Sequence, residues 1–154
     1  MRYCWLILMV LVPVSVGCDS SPKAIKVHKV SGQIYYDGKP AEGVQVFLLP
    51  TSAPIPPEIP SNPHGVTKAD GSFTITTFTD GDGAAEGGYQ ILLSWPDTSD
   101  PNAEATTDRF LNWYDAAHTK LSIRVVEGDN VIPPIKIPAI TKPADAVEGI
   151  PGRN

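Results

Sequence analysis

The chain has 154 residues, among them 16 prolines, 13 glycines and only two methionines, and this length suits one domain of short strands and turns. Hydrophobic residues make up 42% and charged residues 19%, which indicates a globular domain with a buried core and excludes a chain that is disordered throughout. The formal net charge is −5. The chain therefore lacks the basic surface that nucleic-acid binding requires, and we expect no nucleic-acid partner.

Residues 1–17 have the pattern of a secretory leader. Arg2 places a positive charge near the start, an unbroken apolar run extends from Trp5 to Val12, and small or turn-forming residues follow as far as Gly17. A transmembrane helix needs about 20 apolar residues, so a membrane-spanning anchor is the less favoured alternative. The leader predicts an extracytoplasmic protein at the cell envelope, facing either the periplasm or the cell surface.

The end of this leader resembles the lipobox of bacterial lipoproteins, with the residues Ser15-Val16-Gly17-Cys18. Ser15 departs from the pattern, which usually has leucine there. The resemblance implies that residues 1–17 are a lipoprotein signal peptide and that Cys18 is acylated, so that the membrane is a partner through this lipid anchor. Cys4 is removed with the leader, and Cys18 then has no disulfide partner. A free thiol at Cys18 is the alternative, and its reactivity in an oxidising compartment disfavours it.

After a polar tether at residues 18–25, the segment 26–138 has the pattern of short strands separated by turns. Apolar residues alternate with period two along most of these strands, and no strand–helix–strand alternation occurs. About seven strands with turn signals between them predict an antiparallel β-sandwich. The predicted strands are Lys26–Tyr36, Gly43–Leu49, Gly65–Thr67, Ser72–Phe78, Gly88–Trp95, Leu121–Val126 and Val131–Ile137.

Two Asp-Gly pairs predict tight hairpins, because glycine adopts the positive φ that such turns need. Asp37-Gly38 joins the first predicted strand to the second, and Asp70-Gly71 joins the third to the fourth. Pro133 and Pro134 remove two backbone donors from the last strand, which predicts that this strand lies at the edge of a sheet.

Three segments between and after these strands have other patterns. Pro50–Pro63 contains six prolines and is interpreted as a surface loop, with a proline-rich ligand for a partner domain as the alternative. Thr107-Asp108 could cap one or two helical turns that carry aromatic residues. Residues 139–154 have no periodicity and are expected to form a flexible C-terminal tail.

The patterns of metal and cofactor sites are absent from the sequence. His28, His64 and His118 lack the paired spacing of a zinc site and are interpreted as isolated surface or strand-end histidines. The acidic loop at residues 80–86 has only part of a calcium-binding pattern, so a solvated hairpin loop is favoured over a calcium loop. We therefore predict neither a metal nor a cofactor.

Two motifs resemble the carboxypeptidase regulatory-like domain. They are Val30-x-Gly32-x-Ile34-x-Tyr36-Asp37-Gly38-Lys39-Pro40-x-x-Gly43-Val44-x-Val46 and Ala69-Asp70-Gly71-x-Phe73-x-Ile75. The similarity continues through Gly87-Gly88-Tyr89 to about Ile137 and is greatest to the small lipoproteins with this domain that are abundant in planctomycete bacteria. It implies an all-β, seven-stranded antiparallel Greek-key sandwich of the transthyretin (prealbumin) type over residues 26–138. It also implies a non-enzymatic module with a structural or binding role, which includes carbohydrate binding.

Motifs of catalysis are also missing. The sequence has no Gly-x-Ser-x-Gly elbow, phosphate-binding loop or dinucleotide fingerprint, and the domain itself contains no cysteine. A hydrolase with the transthyretin-like fold ends in Tyr-Arg-Gly-Ser, which Val147–Asn154 does not match. We predict that the protein is not an enzyme. The alternatives are a subunit or accessory domain of an envelope enzyme, or a transthyretin-like hydrolase.

Three aromatic residues are the candidate ligand-stacking residues: Trp95, Trp113 and Tyr114. They lie at or near predicted strand ends, where their rings can either stack on a sugar or close an open end of the sandwich. Their neighbours Phe110 and Leu111 are apolar, which favours a role in closing the core. Ligand stacking remains the alternative, with a glycan or an envelope protein as the partner.

Overall fold

The computed structural model describes residues 25–51, 59, 62–97 and 107–144. These residues form β-strands and turns without an α-helix, which confirms the prediction of an all-β fold. Eleven strands occur in the described ranges: β1 (Val27–His28), β2 (Val30–Tyr36), β3 (Lys39–Pro40), β4 (Gln45–Pro50), β5 (His64–Val66), β6 (Ser72–Thr74), β7 (Ala84–Ala85), β8 (Gly87–Ser94), β9 (Ser122–Val125), β10 (Asn130–Val131) and β11 (Ile135–Ile137).

Several sequence-based predictions fall outside the described residues. They are the signal peptide at 1–17, the lipidation of Cys18, the tether as far as residue 24, most of the proline-rich loop, and the last ten residues of the predicted tail. Across the part of the chain that is described, no helix has the length and hydropathy that crossing a bilayer requires.

The strands form two main sheets and one small one. The first sheet has β2 at its centre, with β6 and β3 paired to it antiparallel and β10 and β11 paired to it parallel. The second sheet has four antiparallel strands in the order β5-β4-β8-β9. Strands β1 and β7 form a separate antiparallel pair.

Both main sheets contribute alternate side chains to one hydrophobic core. Val30 and Ile34 of β2, Val46 and Leu48 of β4, and Ile91 of β8 are all buried in this core. Side chains at period two point to one face of a strand, so each sheet presents an apolar face to the other. The fold is therefore consistent with a β-sandwich whose interior lies between β2 and the β4-β8 pair.

The first predicted hairpin is only partly present. The turn at Asp37 and Gly38 has left-handed φ values of 49° and 76°, as predicted, and it joins β2 to the two-residue strand β3. The pairing of segment 26–36 with segment 43–49 is wrong, because β4 lies in the opposite sheet between β5 and β8.

The chain leaves the first sheet just after Pro40, which has no backbone N–H to continue the ladder. Where the chain crosses between the sheets, the Thr67 side chain forms hydrogen bonds with two backbone groups. Its hydroxyl donates to the Ala41 carbonyl oxygen at 2.6 Å and accepts from the Val44 N–H at 2.8 Å. Since Thr67 is itself buried, these two bonds pair polar groups that would otherwise be costly to bury.

The second predicted hairpin also separates after its turn. The Asp70-Gly71 turn is present, and an Asp70 carboxylate oxygen accepts from the backbone N–H and the hydroxyl of Ser72 at 2.9 and 2.6 Å. However, β5 pairs with β4 in one sheet and β6 pairs with β2 in the other. The two strands of the predicted hairpin share a single antiparallel bridge, between His64 and Thr76.

The prediction of a wholly antiparallel fold is wrong for the last strand. Residues 130–137 form β10 and β11, which both run parallel to β2 and are separated at Pro133 and Pro134. The chain reaches β10 from β9, which lies in the other sheet, so no tight hairpin imposes an antiparallel direction on it. Both segments pair with β2 alone, which agrees with the predicted edge position.

Candidate binding site

Four aromatic rings gather where β2 and β8 end, and we call them the aromatic cluster: Tyr36, Trp95, Phe110 and Tyr114. Trp95 lies with its ring centroid 5.3 Å from that of Tyr36 and 5.4 Å from that of Phe110. Tyr114 contacts Phe110 edge-on at 5.5 Å. Phe110 is fully buried, and the other three rings are partly buried against the core. Burial also raises the pKa of the Tyr114 hydroxyl.

Asp108 holds the cluster together from its backbone side. One carboxylate oxygen accepts from the Trp95 N–H at 2.8 Å and from the Phe110 N–H at 3.2 Å, and the other accepts from the Asn112 N–H at 3.1 Å. Asp108 thus accepts bonds from backbone N–H groups as a cap does, but the prediction of helical turns after it is wrong. Leu111 and Asn112 have φ values of 52° and 65°, and consecutive left-handed residues cannot continue a right-handed helix.

Trp113 lies outside the aromatic cluster and makes a different contact. Its indole N–H donates to the Lys142 carbonyl oxygen at 2.6 Å, while the Ala144 N–H donates to the Leu111 carbonyl oxygen at 3.2 Å. Nearby, the backbone N–H of Ile140 donates to the Tyr36 hydroxyl. Residues 139–144, which the sequence assigns to a tail, therefore lie against the domain. A groove of about 350 Å³ runs between Trp113, Tyr114 and this segment.

A cleft lies beside the aromatic cluster, and we call it the Trp95 cleft. It has a volume of about 740 Å³. Arg109 places its guanidinium carbon 3.6 Å from the centroid of the Trp95 ring, a cation–π arrangement. The cleft is lined by Pro40, Glu42, Gly43, Gln45, Trp95, Pro96, Asp97 and Arg109.

The structure brings Trp95 and Tyr114 into one cluster and places Trp113 outside it. The Trp95 ring is contacted by Arg109, Tyr36 and Phe110, so a sugar could stack on its covered face only if Arg109 moved. Arg109 has no recognisable motif in the sequence. The Trp95 cleft joins segments that are far apart along the chain, and only the three-dimensional fold shows that they meet.

In the acidic loop, Asp82 is occupied by hydrogen bonds from the backbone. Its carboxylate accepts from the N–H groups of Thr77, Phe78 and Thr79 at 2.7, 3.0 and 2.9 Å. Burial alone would raise the pKa of Asp82, but these bonds outweigh it and hold the pKa below its usual value. Among the described residues, no three potential ligands lie together as a metal site would require.

Replacing Asp82 with asparagine should cost about 1 to 2 kcal/mol at neutral pH, because the amide offers one acceptor oxygen in place of two. A lowered carboxylate pKa stabilises the fold above the unfolded pKa of about 3.9, and this contribution disappears as pH falls through the folded pKa. The stability difference between wild type and Asp82→Asn should therefore be constant above about pH 5 and shrink below about pH 4.

Urea unfolding at a series of pH values measures this difference. Asp80→Asn is the matched control, because Asp80 is an exposed aspartate of the same loop and should change stability by less than about 0.5 kcal/mol. An Asp82→Asn difference that stays constant down to pH 3 would contradict the role given to these hydrogen bonds.

His28 lies at the end of β1, which is one of the two positions expected for it, and it is buried and not on the surface. Its Nδ1 atom accepts a hydrogen bond from the Gly128 N–H at 3.1 Å, so the proton of the neutral ring resides on Nε2. Nε2 lies 3.1 Å from a carboxylate oxygen of Glu86, at an angle that does not form a hydrogen bond. His28 thus connects β1 to the turn before β10.

No family model matches the chain, and no curated protein sequence is significantly similar to it. Among solved structures, the chain is similar to a DUF3823 family protein from Parabacteroides merdae, with 15% identity, a TM-score of 0.40, and coverage of 74% of this chain and 47% of that one. It is also similar to a 9R-lipoxygenase from Cyanothece, with 16% identity, a TM-score of 0.39, and coverage of 74% and 17%. The chain spans less than half of either protein, and similarities this low carry no information about function.

Proposed function

We propose that this protein is a lipid-anchored, non-enzymatic module at the cell envelope, attached to the membrane through Cys18. The module is a seven-stranded Greek-key sandwich of the carboxypeptidase regulatory-like, transthyretin-like type. Its role is structural or binding, with a glycan or an envelope protein as the partner. The domain lies close to the membrane surface, since the tether at 18–25 extends no more than about 28 Å.

The strand order supports the proposed fold type. If β10 and β11 are counted as one strand interrupted at its two prolines, and the short strands β1, β3 and β7 are set aside, seven principal strands remain. Along the chain these alternate between the sheets: β2 in the first, β4 and β5 in the second, β6 in the first, β8 and β9 in the second, and β10–β11 in the first. Such crossings between sheets are typical of Greek-key sandwiches.

The observation that carries the proposed non-enzymatic role is how three aspartate carboxylates of the domain are used. Asp82 and Asp108 accept hydrogen bonds from several backbone N–H groups, and Asp70 holds its own turn in the same way. A catalytic acid or base needs hydrogen-bond access to a reacting group, and these bonds to the backbone take up that capacity. These three side chains shape loops, which suits a scaffold or binding module.

Membrane fractionation of cells that produce the full chain tests the proposed anchor. Wild-type protein should sediment with the membranes, because acyl chains contribute on the order of 0.8 kcal/mol per buried CH₂. Cys18→Ser should either appear in the soluble fraction or accumulate as a precursor that retains its leader.

Cys4→Ser is the matched control, because it removes the only other cysteine and should leave the protein in the membrane fraction. A Cys18→Ser protein that has lost its leader and still sediments with the membranes would overturn the proposed anchor.

A further inference from the structure

We propose that the Trp95 cleft binds a neutral saccharide. This inference rests on the binding role proposed above and names the class of ligand. At about 740 Å³ the cleft is within the range of about 300 to 1,000 Å³ that small-molecule sites occupy. Polar and charged side chains make up about half of its lining, together with the apolar residues Pro40, Trp95 and Pro96.

Two hydrogen-bond donors in the cleft have no hydrogen-bond partner among the described residues. The indole N–H of Trp95 lies beside Gly43, where an added Cβ would be 4.0 Å from Nε1, and within the described residues nothing accepts a hydrogen bond from it. The guanidinium of Arg109 lies over the same ring, and among those residues no carboxylate or carbonyl pairs with it. These donors are available to a ligand oxygen.

The indole N–H of Trp95 is also held in place before any ligand binds. The backbone N–H of Trp95 donates to Asp108, and the Trp95 carbonyl oxygen accepts from the Arg109 N–H at 2.8 Å. On its inner side the Trp95 ring packs against Tyr36 and Phe110. A ligand therefore need not order these backbone groups or this ring, which reduces the entropic cost of binding.

The same cleft also contains hydrogen-bond acceptors. The charges of its side chains indicate the charge of the ligand. Glu42 offers a carboxylate and Gln45 an amide, and the charge of Glu42 is opposite to that of Arg109. With one carboxylate and one guanidinium facing the same space, an acidic ligand meets Glu42 and a basic ligand meets Arg109. Sugar hydroxyls both donate and accept hydrogen bonds, so they fit a mixed set of donors and acceptors without carrying a charge.

The test is an array of neutral and uronate-containing oligosaccharides, screened with the full chain in detergent micelles and followed by calorimetric titration of the strongest neutral oligosaccharide. Two variants probe the cleft. Trp95→Phe keeps an aromatic ring and removes the indole N–H, and Arg109→Ala removes an exposed guanidinium. Each should weaken binding at least tenfold with a cooperative melting transition retained. The matched control is Arg124→Ala, an exposed arginine on β9 outside the cleft, which should bind as wild type does.

The proposal is overturned if no neutral oligosaccharide binds, if only uronate-containing ones bind, or if Arg109→Ala binds as tightly as Arg124→Ala. Should Trp95→Phe fail to fold, Glu42→Ala replaces it, since Glu42 is exposed and should weaken binding with the fold intact. Membrane attachment of the same wild-type protein is scored separately by fractionation. Loss of attachment would count against the anchor, whereas absence of glycan binding would count against the Trp95 cleft alone.

Discussion

Phe110→Ala should lower the free energy of unfolding by about 3 to 5 kcal/mol. Phe110 has no exposed surface, and its ring contacts Tyr36, Trp95 and Tyr114 in the aromatic cluster. Alanine would leave a cavity among three rings that are each fixed by other contacts, so little collapse can refill it. Urea unfolding of the purified protein, followed by tryptophan fluorescence, measures the loss.

Phe78→Ala is the control for this experiment, because it deletes the same side chain at a position that is 43% exposed. We expect it to change the free energy of unfolding by less than about 1 kcal/mol. If Phe110→Ala were no more destabilising than Phe78→Ala, the aromatic cluster would not close the core as described.

Two turn glycines should respond very differently to the same substitution. Gly38 and Gly71 have nearly equal φ values of 76° and 77°, so alanine pays a similar conformational cost of about 1 to 2 kcal/mol at each. A Cβ at Gly38 meets no atom within 4 Å. A Cβ at Gly71 would lie 2.5 Å from the backbone oxygen of Ile34, in the central strand β2. Gly71→Ala should therefore cost about 2 to 5 kcal/mol in total.

Thermal unfolding of both variants side by side gives the comparison, since 1 kcal/mol corresponds to about 4 °C in a domain of this size. Both variants should melt below wild type, and the drop in melting temperature for Gly71→Ala should be about twice that for Gly38→Ala. Equal drops would mean that the Asp70-Gly71 turn does not lie against β2.

Alternation and turn chemistry carry most of what the sequence reveals about this fold. The period-two pattern from Tyr89 to Leu93 correctly predicts the buried face of β8, and Phe73, Ile75 and Thr77 are buried as their spacing predicts. These are local properties, because side-chain direction in a strand depends on neighbouring residues alone. Both Asp-Gly turns are present for the same reason.

Local sequence patterns do not predict which sheet each strand joins. Strands joined by an Asp-Gly turn were expected to stay paired, yet the chain crosses between the sheets after each turn. The side chain that satisfies the first crossing, Thr67, is more than twenty residues along the chain from the Ala41 and Val44 backbone groups that it bonds. No short pattern encodes a contact of that kind.

In the candidate site, too, local patterns predict some positions and miss contacts between distant segments. Trp95 was predicted at a strand end and lies there, and Tyr114 packs with it as an apolar neighbourhood would suggest. Arg109 was missed, because its partner is the ring of Trp95 across an intervening loop. Trp113 looked equivalent to its neighbour Tyr114, but the left-handed residues before it turn its indole toward Lys142.

We propose a module that is anchored to the membrane by lipid on Cys18, its first mature residue, and the mass of the native N-terminus tests this proposal most directly. The protein is extracted from membranes, digested, and its N-terminal peptide identified by mass spectrometry. We predict a peptide that begins at Cys18 and carries a diacylglycerol group on the sulfur. An unmodified N-terminus at any other residue, or a chain that retains residues 1–17, would contradict the claim.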